Sequence, residues 1–216
     1  MDILVILIAI WYYDLFKKYL PSGSERLAAL ASIIDYCPEQ ARDIIDKAAF
    51  AELDVFWNIF LSIQYIRPLT NTMLDFLLKA EQPDELLKNE FFLDRSSKFK
   101  EKIKNEKASV NISSSRKILF HRLNIDNDLR IASPLATIIS EKYPDKISAL
   151  CEDNYETGMS RISFRNRKFP VNIGVILKEI CSLFERSDGV GHEKAASIRC
   201  PIEYSEQIIE LFEKKL

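Results

Sequence analysis

Two stretches of this 216-residue sequence carry residue types at spacings suited to chemistry. The first is Asp188-Gly189-Val190-Gly191-His192-Glu193-Lys194-Ala195-Ala196-Ser197-Ile198. Glycines at i and i+2 let the backbone take positive φ angles and approach a ligand closely. Successive N–H groups in such a loop can form an anion nest, with His192 where a ring nitrogen reaches a phosphate oxygen or a base edge. The same glycines also serve a plain helix-to-strand turn, and a lone histidine is more often a structural hydrogen-bonder. The second stretch, Ser160 to Lys168, holds Arg161, Arg165, Arg167 and Lys168, a dense basic cluster in a chain of net charge −2. Such cations suit phosphates, and Phe164 or Phe169 could stack on bases or simply fill a core. The candidate nucleic-acid-binding set is therefore Arg161, Ser163, Arg165, Asn166, Arg167, Gly189, Gly191 and His192.

Other chemistry finds little purchase. The four cysteines, Cys37, Cys151, Cys181 and Cys200, form no CxxC pair, and only His121 and His192 could assist them. The reading is buried thiols in a reducing compartment, with no metal and no cofactor. Asp126-Asn127-Asp128 reads as a turn with capping carboxylates. No P-loop or serine nucleophile elbow is present, so the sequence offers no catalytic residue and no small-molecule substrate. With net charge near zero, nucleic-acid contact must come from a local patch rather than bulk basic character.

The elements that must position these residues read as follows. Lys117 to Leu123 is a strand, and Ser133-Pro134 opens a helix through Lys142, with Ser133 suited to the N-cap and Pro134 to the first helical position. Strands follow at Lys146 to Cys151 and Met159 to Arg165, separated by a turn over Asn154 to Gly158. Asn172 caps a helix with Ile173, Ile176, Ile180 and Leu183 on its inner face. A glycine-containing loop leads to a strand at Ala195 to Arg199, and Tyr204 to Leu216 closes the chain as an amphipathic helix. The order β-α-β-β-α-β-α predicts a small mixed sheet with packed helices, an α/β (α+β) fold.

The first half reads as helical, with helices from Glu25 to Tyr36, from Pro38, from Leu53 to Ile66 and from Thr70 to Ala80. The last of these should face inward through Leu74, Leu77 and Leu78. Asp94 to Ser115 is Lys-rich and then Ser-rich, the composition of an exposed helix end or a linker. The expected organisation is a helical segment over 1–107 and an α/β domain over 108–216. The apolar run Ile3 to Tyr13 is too short to span a membrane, which takes about 20 residues, and has no signal-peptide flanks. It reads as a buried element or as a cover for a partner's surface.

The order of motifs in the second half resembles the DHH-associated C-terminal domain of RecJ-type phosphoesterases. That domain carries an S-x-R-S strand end, a V-N-[IV] helix start, and G-G-G-H followed by A-A-G. This chain shows Ser163-Phe164-Arg165-Asn166, Val171-Asn172-Ile173, Gly189-Val190-Gly191-His192 and Ala195-Ala196-Ser197. The departures are Val190, Asn166 and Ser197. A valine in the loop restricts the backbone, which puts the nest and its ligand affinity in question. The resemblance covers about residues 108–216; Leu27 to Asp35 and Ile66-Arg67-Pro68-Leu69 are similar to the helical connector of archaeal RecJ-like proteins.

The resemblance implies that the chain begins near where a DHH domain would stop, and so without the catalytic module. DHH chemistry needs two metal ions held by aspartates and histidines, and no Asp-His-His occurs here. What it implies is a non-catalytic replication subunit, like the archaeal RecJ DNA-binding-domain homologues counted as counterparts of the eukaryotic cell-division-control subunit of the CMG helicase. Such a protein would be cytoplasmic and associated with the nucleoid and replisome. It would bind GINS subunits, support the MCM helicase through GINS, and contact single-stranded DNA, with no membrane partner. The alternatives are a free-standing single-strand-binding module and an accessory subunit of another complex.

Overall fold

The computed structural model describes residues 18–19, 58–63, 67–79, 83–110, 117–123 and 129–216. The helices expected from Glu25 and from Pro38, the apolar run 3–13, and the Asp126-Asn127-Asp128 turn lie outside the described residues. The chain divides into two compact units, Met1–Lys100 and Glu101–Leu216. None of the described helices is long and apolar enough to cross a membrane.

In the first unit, residues 58–63 are helical, α1 spans Arg67–Lys79, and a 3-10 turn covers Pro83–Lys88. The helix expected from Thr70 thus starts at Arg67, because proline is tolerated in a first turn, where its missing N–H costs nothing. Ile59, Ile63, Met73, Leu86 and Phe92 form a buried cluster, and the rings of Phe76 and Phe92 meet edge to face at 5.5 Å. The polar stretch expected as a helix end or linker is mostly helix: α2 runs through Glu90–Ser109, its residues from Glu101 onward belonging to the second unit. Asn89 begins it, its Oδ1 accepting from the backbone N–H of Phe91 at 3.1 Å.

The second unit is built on a five-stranded sheet of order β1-β2-β3-β5-β4. The strands are β1 (Ile118–Arg122), β2 (Ile147–Asn154), β3 (Met159–Asn166), β4 (Asp188–Gly191) and β5 (Ala195–Pro201). β1 and β2 are parallel, joined through α3 (Ala132–Lys142), and every other pairing is antiparallel. Strand alternation sends Ile147, Ala149, Cys151, Ile162, Phe164, Ile198 and Cys200 to one face, where they pack with α4 (Ile173–Cys181) and α5 (Ser205–Lys214) into the main core. α3 covers part of the opposite face, where Ser148 Oγ donates to the Ala136 carbonyl at 2.7 Å.

Four expectations are corrected. The stretch read as a glycine loop is β4, paired with β5, which adds a strand to the predicted order. α3 starts at Ala132 with Ile131 at its N-cap and no side-chain cap of its own. Instead Glu152 Oε1, from β2, accepts from the N–H groups of Ile131 and Ala132 at 2.7 and 2.8 Å, while Ser133 Oγ accepts from Arg165. Leu183 lies beyond the end of α4 and is 67% exposed, and the inner face is completed by Leu177 and Cys181. Phe164 is fully buried against Phe212, with ring centroids 5.1 Å apart, so it is core and not a stacking platform.

A partly buried charge cluster ties the far end of the sheet to α5. Arg122 donates to Asp153 and, at 2.8 and 2.9 Å, to Ser205 and Glu206. Ser160 also donates to Asp153, which is 3% exposed. Burial alone would lower the basicity of Arg122, but its bonds to Glu206 and Asp153 and the nearby Cys151 carry it above its ordinary value.

Candidate nucleic-acid interface

The predicted site residues fall into two groups of different character. Arg165, Asn166 and the β4 end are committed to the fold. Arg165 donates to Thr137 at 3.1 Å, to the Phe164 carbonyl at 2.8 Å and to Ser133 at 2.6 Å, fastening β3 to α3. Asn166 is buried; its Nδ2 donates to the carbonyls of Phe169 and Val171, and its Oδ1 accepts from the Phe169 N–H. Where the resembled motif has serine, the amide here spans a turn that a hydroxyl would be too short to bridge on both sides. Ser163 is buried in β3, and Arg167 pairs with Glu141 at 2.6 Å.

The expected anion nest does not form as drawn. Of its two glycines only Gly191 has a positive φ, and a Cβ there would lie 2.3 Å from that of Ala196. The groups that turn toward α4 are carbonyls: Glu193 and His192 accept from the N–H groups of Ile173 and Gly174 at 3.4 and 3.2 Å. Asn172 caps as predicted, its Oδ1 accepting from Val175 N–H at 3.1 Å. The first donors of α4, which in an open helix N-terminus would meet an anion, are occupied internally. The His192 ring is exposed, with Nδ1 accepting from the Lys194 N–H at 3.4 Å. The other histidine, His121, lies 3.2 Å from Ser109 Oγ and 3.6 Å from Glu106 through the same ring nitrogen.

Arg161 opens onto a different place. It points from β3 into a cleft of about 460 Å³ on the α3 side of the sheet. One row of the sheet register crosses this cleft: Glu152 on β2, Arg161 on β3, Arg199 on β5 and Asp188 on β4. Cross-strand partners stand about 4.5–5.5 Å apart at Cβ, and like charges directly opposite each other destabilise a sheet. Arg161 and Arg199 are such a pair. Arg161 Nε donates to Ser197 at 3.4 Å, whereas the Arg199 guanidinium makes no hydrogen bond or ion pair with the described residues. Arg130 adds a third cation at the rim, and Val190, 74% exposed, forms an apolar outer wall. Burial pushes the Glu152 carboxyl above its ordinary range, opposed by the Ala132 and Ile131 N–H groups and by Arg130 and Arg161. Two guanidinium forks side by side match the oxygens of one phosphate.

Sequence reasoning missed Arg199, Arg130, Glu152 and Asp188. Alternation along Ala195, Ser197 and Arg199 signals one outward face, but the register that sets Arg199 against Arg161 depends on pairing strands not adjacent in sequence. Among the described residues, no group of three or more His, Cys, Asp or Glu side chains is gathered as metal ligands would be.

No protein-family model matches the chain, and no curated protein matches it in sequence. Solved structures do match in shape. RecJ from Thermus thermophilus, in complex with Mn2+, aligns over 89% of this chain and 32% of its own length, at TM-score 0.58 and 11% identity. The same protein with Mg2+ gives TM-score 0.58 at 12% identity, over 34% of its length. A DHH domain described as a member of the S1p family of ribosomal proteins aligns over 89% of this chain and 49% of its own, at TM-score 0.54 and 16% identity. The chain thus spans about a third of RecJ and half of the DHH-domain protein. At these identities the likeness is one of fold: the mixed five-stranded sheet with flanking helices is a RecJ-like, DHH-associated fold.

Proposed function

We propose that this chain is a non-catalytic DNA replication subunit that binds GINS, supports the MCM helicase through it, and touches single-stranded DNA through the Arg161–Arg199 cleft. It would act in the cytoplasm at the nucleoid. The observation that carries the nucleic-acid part is the pair of arginines set opposite each other across β3 and β5 in a cleft on the α3 side of the sheet, in a chain of net charge −2. A phosphate set between the two guanidinium groups would offset their mutual repulsion and accept from both. The replication part is supported by the ordered motifs over about 108–216. The motif residues Arg165 and Asn166 act in the proposal as supports for the sheet, with Arg161 and Arg199 as the contact residues.

Affinity purification from the native host tests the partner: GINS subunits recovered at equal stoichiometry are expected, and their absence sinks the assignment. Single-strand binding by the chain alone is tested by titrating salt. Each phosphate contact contributes a slope of about −0.7 in log K against log salt. Two arginines on one phosphate predict a shallow slope of about −0.7, in place of the steep dependence of a long basic track.

A further inference from the structure

The fold splits the basic cluster of Ser160 to Lys168 in two. Arg161 faces the cleft, whereas Arg167 and Lys168 lie just past the end of β3. At about 3.3 Å per strand residue, that is roughly 20 Å away, at the opposite end of the sheet. Other cations gather there. The Lys117 carbonyl accepts from the Ile147 N–H at 3.0 Å, which sets Lys117 beside Lys146. The Lys168 N–H donates to the Pro144 carbonyl at 3.1 Å, and the Lys194 carbonyl accepts from the Asn166 N–H at 2.9 Å. Segments 117, 141–146, 167–171 and 192–194 thus close one end of the sheet together. Their charged side chains, counted without omission, are five lysines and Arg167 against Glu141, Asp145 and Glu193. The net charge of this end is +3 in a chain of −2, which leaves −5 for the rest. Lys146 is half-buried and the other eight are exposed.

We infer that this end of the sheet is a docking surface for an acidic protein segment, separate from the Arg161–Arg199 cleft and independent of its nucleic-acid reading. Charge complementarity names the partner's sign, and two further features favour carboxylates over the phosphates of a strand. The first is the interleaving of acids with the cations. A nucleic-acid backbone brings a negative charge at every nucleotide and meets Glu141, Asp145 and Glu193 as repulsions. A protein segment can set a carboxylate against each cation and a neutral or basic residue against each acid. Arg167 already holds a carboxylate, that of Glu141, at 2.6 Å. The second feature is the state of the rings. The Lys142 ammonium sits over the Tyr143 ring at 5.3 Å, and Phe169 is packed against the core, so a strand would find neither as a stacking platform. A polar, mixed-charge surface of this kind sets encounter rate and orientation more than affinity.

The test uses the full chain and three fluorescein-labelled probes, read by anisotropy between about 50 and 200 mM KCl. They are a peptide of about five Glu-Gly-Ser repeats, its Gln-Gly-Ser counterpart, and an oligothymidylate of about 15 nucleotides. The glutamate peptide should bind and weaken as salt rises, and the glutamine peptide should not bind. Lys117→Glu combined with Lys168→Glu turns two attractions into repulsions and should weaken the glutamate peptide about tenfold or more. The same variant should change oligothymidylate binding less than about twofold, because the cleft lies about two screening lengths away. Arg199→Ala should leave the peptide affinity as it is. The docking surface is overturned if the glutamate peptide does not bind at about 1 mM chain, if the glutamine peptide binds equally, or if the double reversal binds as the parent does. It is also overturned if the double reversal weakens oligothymidylate as much as the peptide, since this end would then be a strand-binding track. A parent that binds the peptide but no oligothymidylate would sink the nucleic-acid reading of the cleft and support this surface. Circular dichroism of each variant, identical to the parent's, excludes misfolding as the cause.

Discussion

Gly174 sets two physical effects against each other, and the structure decides between them. It lies in the first turn of α4, and a glycine in a helix costs about 1 kcal/mol relative to alanine, so propensity alone predicts that Gly174→Ala stabilises. A Cβ built there, however, would sit 2.9 Å from the carbonyl carbon and oxygen of Gly191 and 3.0 Å from the His192 nitrogen. These are backbone atoms and cannot rotate away. Nor can β4 retreat, because Gly191 is itself packed on Ala196. Restoring ordinary contact means moving that segment by about half an ångström, which stretches the Ile173 and Gly174 N–H bonds to Glu193 and His192, already 3.4 and 3.2 Å long. Overpacking costs about 1–3 kcal/mol and a weakened hydrogen bond about 0.5–1.5. Against the gain of about 1 kcal/mol, the net expectation is a loss of about 0.5–3.5 kcal/mol, with a middle value of about 2. With a urea slope of about 2 kcal/mol per molar, that middle value lowers the midpoint by about 1 M in a titration followed by circular dichroism. Faster amide exchange in the peptide covering 173–192 would place the damage. A midpoint equal to or above the parent's would refute the reasoning, because propensity would then have won.

The remaining predictions follow the same contacts. Gly189→Ala meets a side chain, Cys181 Sγ at 2.8 Å, so adding Cys181→Ala should recover most of its loss in the same urea assay, whereas a purely additive pair would exclude the contact. Arg122→Met strands Asp153 and should cost about 2–4 kcal/mol, below the roughly 3–5 of a fully buried pair because a third of Arg122 is exposed; Arg122→Met with Asp153→Asn should be less damaged than Arg122→Met alone. Burial raises the folded-state pKa of Glu152 above its unfolded value, so the folded protein holds that proton more tightly. Its contribution to stability is therefore fully present below the unfolded value and is lost as pH rises through the folded one. Glu152→Gln, which keeps the capping oxygen, should remove that part of the stability-versus-pH curve, and an unchanged curve would count against it. Burial pushes Cys200 up to about 12 and Cys151 higher still. Both should therefore resist a thiol reagent at about pH 8 in the native protein and react at once in urea; rapid native labelling of either would contradict their placement.

Local signals in the sequence are legible where the chain needs only its neighbours. Asn154 to Gly158 turns as its composition predicts, with Gly158 at φ +67° and Asn154 accepting from the Thr157 N–H, and Asn172 caps α4 through a contact three residues away. The reading fails where a distant residue replaces a local one. Ser133 has the chemistry of an N-cap, yet a carboxylate about twenty residues on performs that task and leaves the hydroxyl to Arg165. The stretch 188–191, with two glycines in four residues, has little strand propensity; pairing with β5 supplies the order its composition does not. The same holds for the site. Arg161 is legible as part of a basic cluster, but its importance depends on Arg199, and only the sheet register brings them together.

β1 comes first in its domain and last in the logic of assembly. β2 with β3, and β4 with β5, join through short connections, so each pair gains its contacts at little cost in loop closure. Among the described residues β1 has a single neighbour, β2, and reaches it only after the whole of α3. Pairings of that kind form late in folding, and an edge strand bound on one side is the natural first element to open in the native state. Arg122, at the end of β1, closes this gap by reaching Asp153 and the start of α5. Native-state hydrogen exchange should therefore show residues 118–122 opening at lower free energy than β2 and β3, as a latch whose catch is one guanidinium.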